Sequence, residues 1–157
     1  MDVRDAEPAE VAHLAQIWYD GWQDAHAEIL PAELKRLRTP ESFRDRLAAG
    51  LADVRVAGPV GAPVGFCMRK EAELYQLYVS AETRGSGLAK ALVDDAEEKF
   101  LEEGIETAWL ACAIGNERAA RFYEKCGWRR VGVMTSQLPT QEGIFPLDVW
   151  RYEKAIA

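Results

Sequence analysis

The chain has 157 residues, the length of a single domain spanning 1–157, with 48% hydrophobic and 29% charged residues, ordinary for a globular protein. Nineteen basic against 26 acidic residues leave a formal charge of −7, which argues against a nucleic-acid partner and leans toward a cationic substrate. Three widely spaced cysteines and two lone histidines show neither a disulfide framework nor a metal spacing, and the opening MDVRDAEPAEVAH has no basic flank and no apolar run. A cytoplasmic protein with no metal, leader or membrane span is expected.

Pro8 suits a first helical position, and Val11, Leu14, Ala15, Trp18 and Trp22 recur at three- and four-residue steps, predicting an amphipathic helix. Residues 25–38 are mixed and read as a loop or a further helical turn. Thr39-Pro40-Glu41 combines a capping hydroxyl with Pro at the first turn of a second helix, which carries Phe43 and Leu47 on one face and stops at Gly50. Val54 and Val56 alternate with more polar neighbours. Residues 58–63 are dense in turn formers, 64–68 return as a strand, and 74–79 form a third strand rich in aromatics.

Leu88, Leu92, Ala96 and Phe100 then fall every four residues along one face of a long helix, and the acidic run at 94–103 reads as its solvated side. A short apolar strand at 107–113 and a helix at 116–126, stopped by Gly127, come next. Closing strands at 128–134 and 147–152 flank a polar loop near 139–143. The order is α-α-β-β-β-α-β-α-β-β, a mixed α/β (α+β) pattern with one sheet covered by helices.

The most informative stretch runs from Tyr75 to Ala89: strand, short glycine-rich loop, helix start. Small residues let the backbone approach a ligand, and the first helical turn offers unpaired N–H groups and the positive end of a dipole. Arg84 adds a cation at the mouth. A phosphorylated ligand is the physical expectation. The triphosphate motif GxxxxGK[ST] is absent, because Lys90 is followed by Ala91 and no Gly sits at the first position. A dinucleotide fingerprint lacks its third small residue, since Lys90 occupies that place, which leaves a nicotinamide-dependent oxidoreductase weakly supported.

Arg84-x-x-Gly87-x-Ala89 resembles the R/Q-x-x-G-x-G/A motif of the GNAT family, the acetyl-CoA-dependent N-acetyltransferases. A second segment, Asn116-x-x-Ala119-x-x-Phe122-Tyr123-x-x-x-Gly127-Trp128, resembles the family's N-x-x-A-x-x-F-Y-x-x-x-G-F, with Trp in the last place. The strand before the loop, Glu73 to Val79, resembles the family's fourth. The resemblance implies a sheet splayed between its fourth and fifth strands, with coenzyme A in the gap. Carried over, the backbone of Leu77, Tyr78 and Val79 would pair with the pantetheine amides. The N–H groups of Arg84, Gly85, Ser86, Gly87, Leu88, Ala89 and Lys90 would hold the pyrophosphate. Asn116, Ala119, Phe122 and Tyr123 would meet the cofactor arm.

The implied reaction is direct attack of a primary amine, on a small molecule or a peptide, on the thioester of acetyl-CoA. A strand N–H would stabilise the developing oxyanion. Tyr123 matches the family's acid, aimed at the departing sulfur. Glu73 matches the position of the base in some members. Trp22 and Tyr75 would line the acceptor pocket, with Trp18 and His26 nearby; Asn116 doubles as a helix cap, and Cys112 and Cys126 read as small buried hydrophobes. The other reading of the same fold is an acyl-CoA sensor that does not turn over. Family members often pair through edge strands or C-terminal segments, so a homodimer is also an expectation.

Overall fold

Two apolar cores, one on each face of a single sheet, organise the chain. The computed structural model describes residues 2–157. Seven strands, β1 (Val3–Asp5), β2 (Val54–Ala57), β3 (Gly65–Lys70), β4 (Glu73–Val79), β5 (Thr107–Ala113), β6 (Arg129–Thr140) and β7 (Gly143–Ala155), lie in the order β1-β2-β3-β4-β5-β7-β6. Against one face, α1 (Val11–His26), α2 (Ala32–Leu37) and α3 (Pro40–Ala49) bury Leu14, Trp18, Trp22, Leu34, Phe43 and Leu47 on Val54, Val56, Phe66 and Met68. Against the other, α4 (Leu88–Glu102) and α5 (Glu117–Lys125) bury Leu88, Leu92, Val93, Ala96, Phe100 and Ala120 on Ala57, Cys67, Leu110 and Tyr152. Along β2 and β3 the two sets alternate, as a strand covered on both faces requires. No helix among the described residues is long and apolar enough to cross a membrane.

Two elements differ from the sequence expectation, and the stretch 25–38, read as a loop or a further helical turn, takes the helical form. β1 is a strand where the sequence shows no strand pattern; it is three residues long and exists by pairing Val3 with Ala57 and Asp5 with Arg55. Residues 32–37 form the helix α2. The final hairpin is longer than expected: β6 and β7 pair as far as Thr140 opposite Gly143, so the polar segment near 139–143 is mostly strand around a tight turn. The acidic run of α4 is also less solvated than expected. Asp95 pairs with Arg55 at 3.0 Å, and Glu97 accepts from Trp128 Nε1 and pairs with Lys154 at 2.8 Å.

The sheet is antiparallel except where β4 and β5 run parallel, and there the pairing is confined to Glu73 opposite Trp109, with Trp109 N–H donating to Ala72 O at 3.0 Å. Beyond that contact the two strands part, each held on its far side only: β4 by β3, β5 by β7. A register shift sits beside the gap. Met68 faces Gln76 but Arg69 faces Leu74, which leaves Tyr75 as the extra residue of a bulge. The bulge resets the alternation. Tyr75 and Tyr78, three residues apart, both join the α1–α3 core, while Leu74, Leu77 and Val79 join the other. Gly21 on α1 makes room for this, since a Cβ there would stand 2.4 Å from Tyr78 Cδ1.

The sheet edge is tied by one buried carboxylate. Glu10, 1% exposed, accepts from Arg4 at 3.0 and 2.7 Å, from Glu7 N–H at 2.9 Å and from Gly61 N–H at 3.0 Å. The Arg4 guanidinium holds its carboxyl down at about 2. Because the folded value lies below the unfolded one, this contribution is present above about pH 4.5 and is lost as pH falls toward 2. Glu10→Ala leaves the Glu7 and Gly61 N–H groups without their acceptor, while Arg4 keeps the carbonyls of Asp5, Gly58 and Pro59, so a cost of about 1–3 kcal/mol in urea unfolding at pH 7 is expected. The loss should shrink between pH 4.5 and 2 as the wild-type carboxylate protonates.

Candidate active site

The parting of β4 and β5 opens a cleft of about 770 Å³. Its walls are the free edge of β4, the facing residues of β5, α1 and α2 on one side, the α4 start and α5 on the other, and the inner side of β6. At one end lies the turn into α4. Gly85 and Gly87 both hold positive φ, +79° and +87°, and a Cβ on either would meet nothing within 4 Å, so open space lies above both. The N–H groups of Gly85, Gly87, Ala89 and Lys90 make no hydrogen bond among the described residues, whereas Ser86 N–H is bonded to Thr83 O, Leu88 N–H to Ser86 Oγ and Arg84 N–H to Ala81 O. The expected seven-residue cradle therefore offers four free donors. Neither Ser86 nor Leu88 lines the cleft: the Ser86 hydroxyl donates to Thr83 O, and the Leu88 side chain is buried beneath α4.

On α5, Asn116 Oδ1 accepts from Ala119 N–H at 3.3 Å and caps the helix, which leaves its NH2 without a protein partner. Ala119, Phe122 and Tyr123 follow along the cleft wall. The Tyr123 ring is braced by Phe122, Trp128 and Tyr152 at centroid distances of 5.4, 6.5 and 6.4 Å. Its hydroxyl has no protein hydrogen bond, and burial drives its pKa well above the usual phenol value, so it stands as a neutral donor. The Tyr78 phenol is pushed up for the same reason.

Glu73, at the start of β4, reaches the same cleft and has no hydrogen-bond partner among the described residues. Burial pushes its carboxyl up to about 7, against the opposing pull of Lys70 and Arg151. A carboxyl with that value is divided between its two protonation states at neutral pH, as a proton acceptor should be. Tyr75 and Trp22 also line the cleft, with Trp22 packed on Phe43 at 5.6 Å. His26 lies beside them; burial lowers its pKa, against the opposing effect of the bond its Nδ1–H donates to Trp22 O at 2.9 Å.

The family model of the acetyltransferase (GNAT) family matches residues 11–128. The chain belongs to that family. An uncharacterized N-acetyltransferase of Mycobacterium tuberculosis is 30% identical over 117 residues, covering 71% of this chain and 72% of that one. A probable N-acetyltransferase of Mus musculus, family 8 member 5, is 34% identical over 83 residues; the match covers 49% of this chain and only 35% of the mouse protein. Among solved structures, the PaiA N-acetyltransferase of Thermoplasma acidophilum, determined with coenzyme A, superposes with a TM-score of 0.72 at 18% identity over 98% of each chain. That likeness is one of fold.

The GNAT cleft of this chain also holds residues that sequence reading passed over. Arg38 from the end of α2, Arg46 from α3 and Lys70 from β3 line it, at the end away from the α4 turn. With Arg84, Lys90 and Arg118 they bring six cations into a lining whose sole carboxylate is Glu73. The overall charge of −7 therefore does not describe the cleft. The expectation of a cationic acceptor is drawn from that total, and the lining is no ground for it: net charge is a sum over the surface, and a substrate feels only the groups nearest it. No periodicity marks these three residues, because they reach one place from three separate elements.

Proposed function

We propose that this GNAT protein transfers an acetyl group from acetyl-CoA to a primary amine. The observation that carries the reading is the pairing, across one cleft, of a neutral phenol with no protein partner, Tyr123, and a carboxyl pushed up to about 7, Glu73. The residues present fit coenzyme A. Four free N–H groups at a helix start suit a pyrophosphate, and the open edge of β4 from Leu77 to Val79 suits the amides of pantetheine. Asn116 contributes its NH2.

When bound, acetyl-CoA supplies the activated thioester. Glu73 accepts, directly or through water, the proton shed by an amine whose free pKa is about 10.4. Tyr123 gives a proton to the departing sulfur. The buried cleft strengthens both transfers by excluding water from the groups involved. One carbon–nitrogen bond forms, one carbon–sulfur bond breaks, and the products are the N-acetyl amine and the free thiol.

The test is thiol release from acetyl-CoA across a panel of amines, with Tyr123→Phe beside the wild type. A thiolate leaving group with a pKa near ~8.5 needs less help than an alkoxide, so a loss of about tenfold to a hundredfold in kcat is expected, shrinking above pH 8.5. Coenzyme A affinity, measured by calorimetry, should change by less than threefold. A rate untouched by the substitution removes Tyr123 from the acid role. Tight coenzyme A binding with no turnover on any amine would instead indicate a sensor.

A further inference from the structure

Six cations line the cleft, and they fall into two groups that differ in one respect. Those near the α4 turn already have a carboxylate close by: Arg84 pairs with Asp24 at 2.7 Å, Lys90 with Asp94 at 2.9 Å, and Arg118 lies 3.9 Å from Asp24. Those at the far end, Arg38, Arg46 and Lys70, make no ion pair among the described residues. A polyanionic cofactor held at the α4 turn explains the first group. Its phosphates, held at that turn, do not reach the second, because β4 alone separates Tyr75 from Val79 by about 13 Å before the loop begins.

Arg38 is the sharper case. It is 4% exposed, yet its guanidinium finds only one acceptor, Pro139 O at 3.0 Å. Its Nε and Nη2 have no protein partner. Arg46 Nη2 donates to Tyr75 Oη at 2.9 Å, while its Nη1 is sealed from solvent with nothing to bond. The Arg46 guanidinium lies over Trp18 at 4.4 Å, which satisfies its face but not its N–H groups. Tyr75 accepts from Arg46 and so keeps its own proton to donate. Burying unpaired charge is costly, and a fold keeps such a group where something else completes it. The guanidinium fork and the phenol together present donors suited to an oxyanion. Around them Trp22, Leu30, Leu34, Leu138 and Leu147 make an apolar wall. The Arg38–Pro139 bond and the Arg36–Glu142 pair at 2.9 Å tie α2 to the β6–β7 tip and close this end as a pocket.

We propose that the acceptor is a small amine carrying an oxyanion, carboxylate or phosphate, and an apolar body, with the oxyanion bound by Arg38 and the Tyr75 hydroxyl and backed by Arg46. The proposal rests on the acetyl-transfer reading. The same cations act on the reacting amine, since neighbouring positive charge favours its neutral, nucleophilic form.

The experiment compares matched pairs as acceptors at saturating acetyl-CoA: leucine and phenylalanine against their methyl esters, and phosphoethanolamine against ethanolamine, with spermidine as a cationic control. The anionic member of at least one pair is expected to show a kcat/KM at least tenfold higher, and which pair responds distinguishes carboxylate from phosphate. Arg38→Gln and, as a variant that leaves the α2–hairpin bond alone, Tyr75→Phe should each shrink that ratio below threefold by raising KM. Esters, ethanolamine or spermidine turned over as well as or better than the anionic members would overturn the subsite and leave acetyl transfer standing. Calorimetric titration of the coenzyme A-loaded protein with the same pairs separates the other failure. Affinity for an anionic member that depends on Arg38, without turnover, keeps the subsite and removes acetyl transfer; equal affinity within every pair overturns the subsite.

Discussion

Glu73→Gln is expected to lower kcat by about a hundredfold or more at pH 7.5, the scale on which a positioned base acts. The amine must lose a proton before or as it attacks, and among the residues lining the cleft Glu73 is the sole carboxylate. Its value of about 7 makes a second prediction. Wild-type kcat should fall about tenfold per unit as pH drops below 7 and level off above it, while the variant loses that acidic limb. Stability runs the other way. The folded carboxyl sits above its ordinary value of 4.5, so ionising it opposes folding progressively between pH 4.5 and 7. Glu73→Gln should therefore melt higher than the wild type at pH 8 and alike at pH 4, as scanning calorimetry would record. A variant that keeps its rate and its acidic limb takes Glu73 out of the reaction.

Gly87→Val is expected to weaken coenzyme A binding by at least a hundredfold in isothermal titration. The position carries φ +87° and a Cβ there has no neighbour within 4 Å, so the protein itself has room for a side chain. The space above it is where a pyrophosphate would meet the free N–H groups of Gly87, Ala89 and Lys90. Backbone strain from a β-branched residue in the left-handed region should cost about 1–2 kcal/mol of stability. Gly104 supplies the control: it has φ +78°, equally open surroundings, and a place at the opposite end of α4. Gly104→Val should lose comparable stability and bind coenzyme A normally. If both variants bind it normally, the α4 turn does not hold the pyrophosphate.

The glycine turn before α4 and the α5 segment were legible because each is local. A phosphate cradle needs glycines at fixed offsets before a helix, and the α5 segment packs its Asn, Ala, Phe and Tyr at helical spacing, so both leave patterns within about a dozen residues. The helices α1, α3, α4 and α5 were legible for the same reason, since their apolar faces repeat every turn and their ends carry Thr39, Gly50 or Asn116 as punctuation.

What the sequence determined by itself is the set of local choices: which segments repeat as helix or strand, where the glycines permit a tight turn, and which short motifs place this chain among the GNAT acetyltransferases. Tertiary structure alone decided what depends on distant partners. β1 is a strand because β2 lies beside it, and the bulge at Tyr75 exists only in register with β3. Glu73 is an ordinary carboxyl in the sequence, and it is pushed up to about 7 only when folding takes water from it. The far end of the cleft shows the division most clearly. Arg38, Arg46 and Lys70 sit on three elements with no common period, and the fold converts them into one positive pocket inside an acidic protein. Charge acts over distances in space, and those distances are set by the fold rather than by the order of residues.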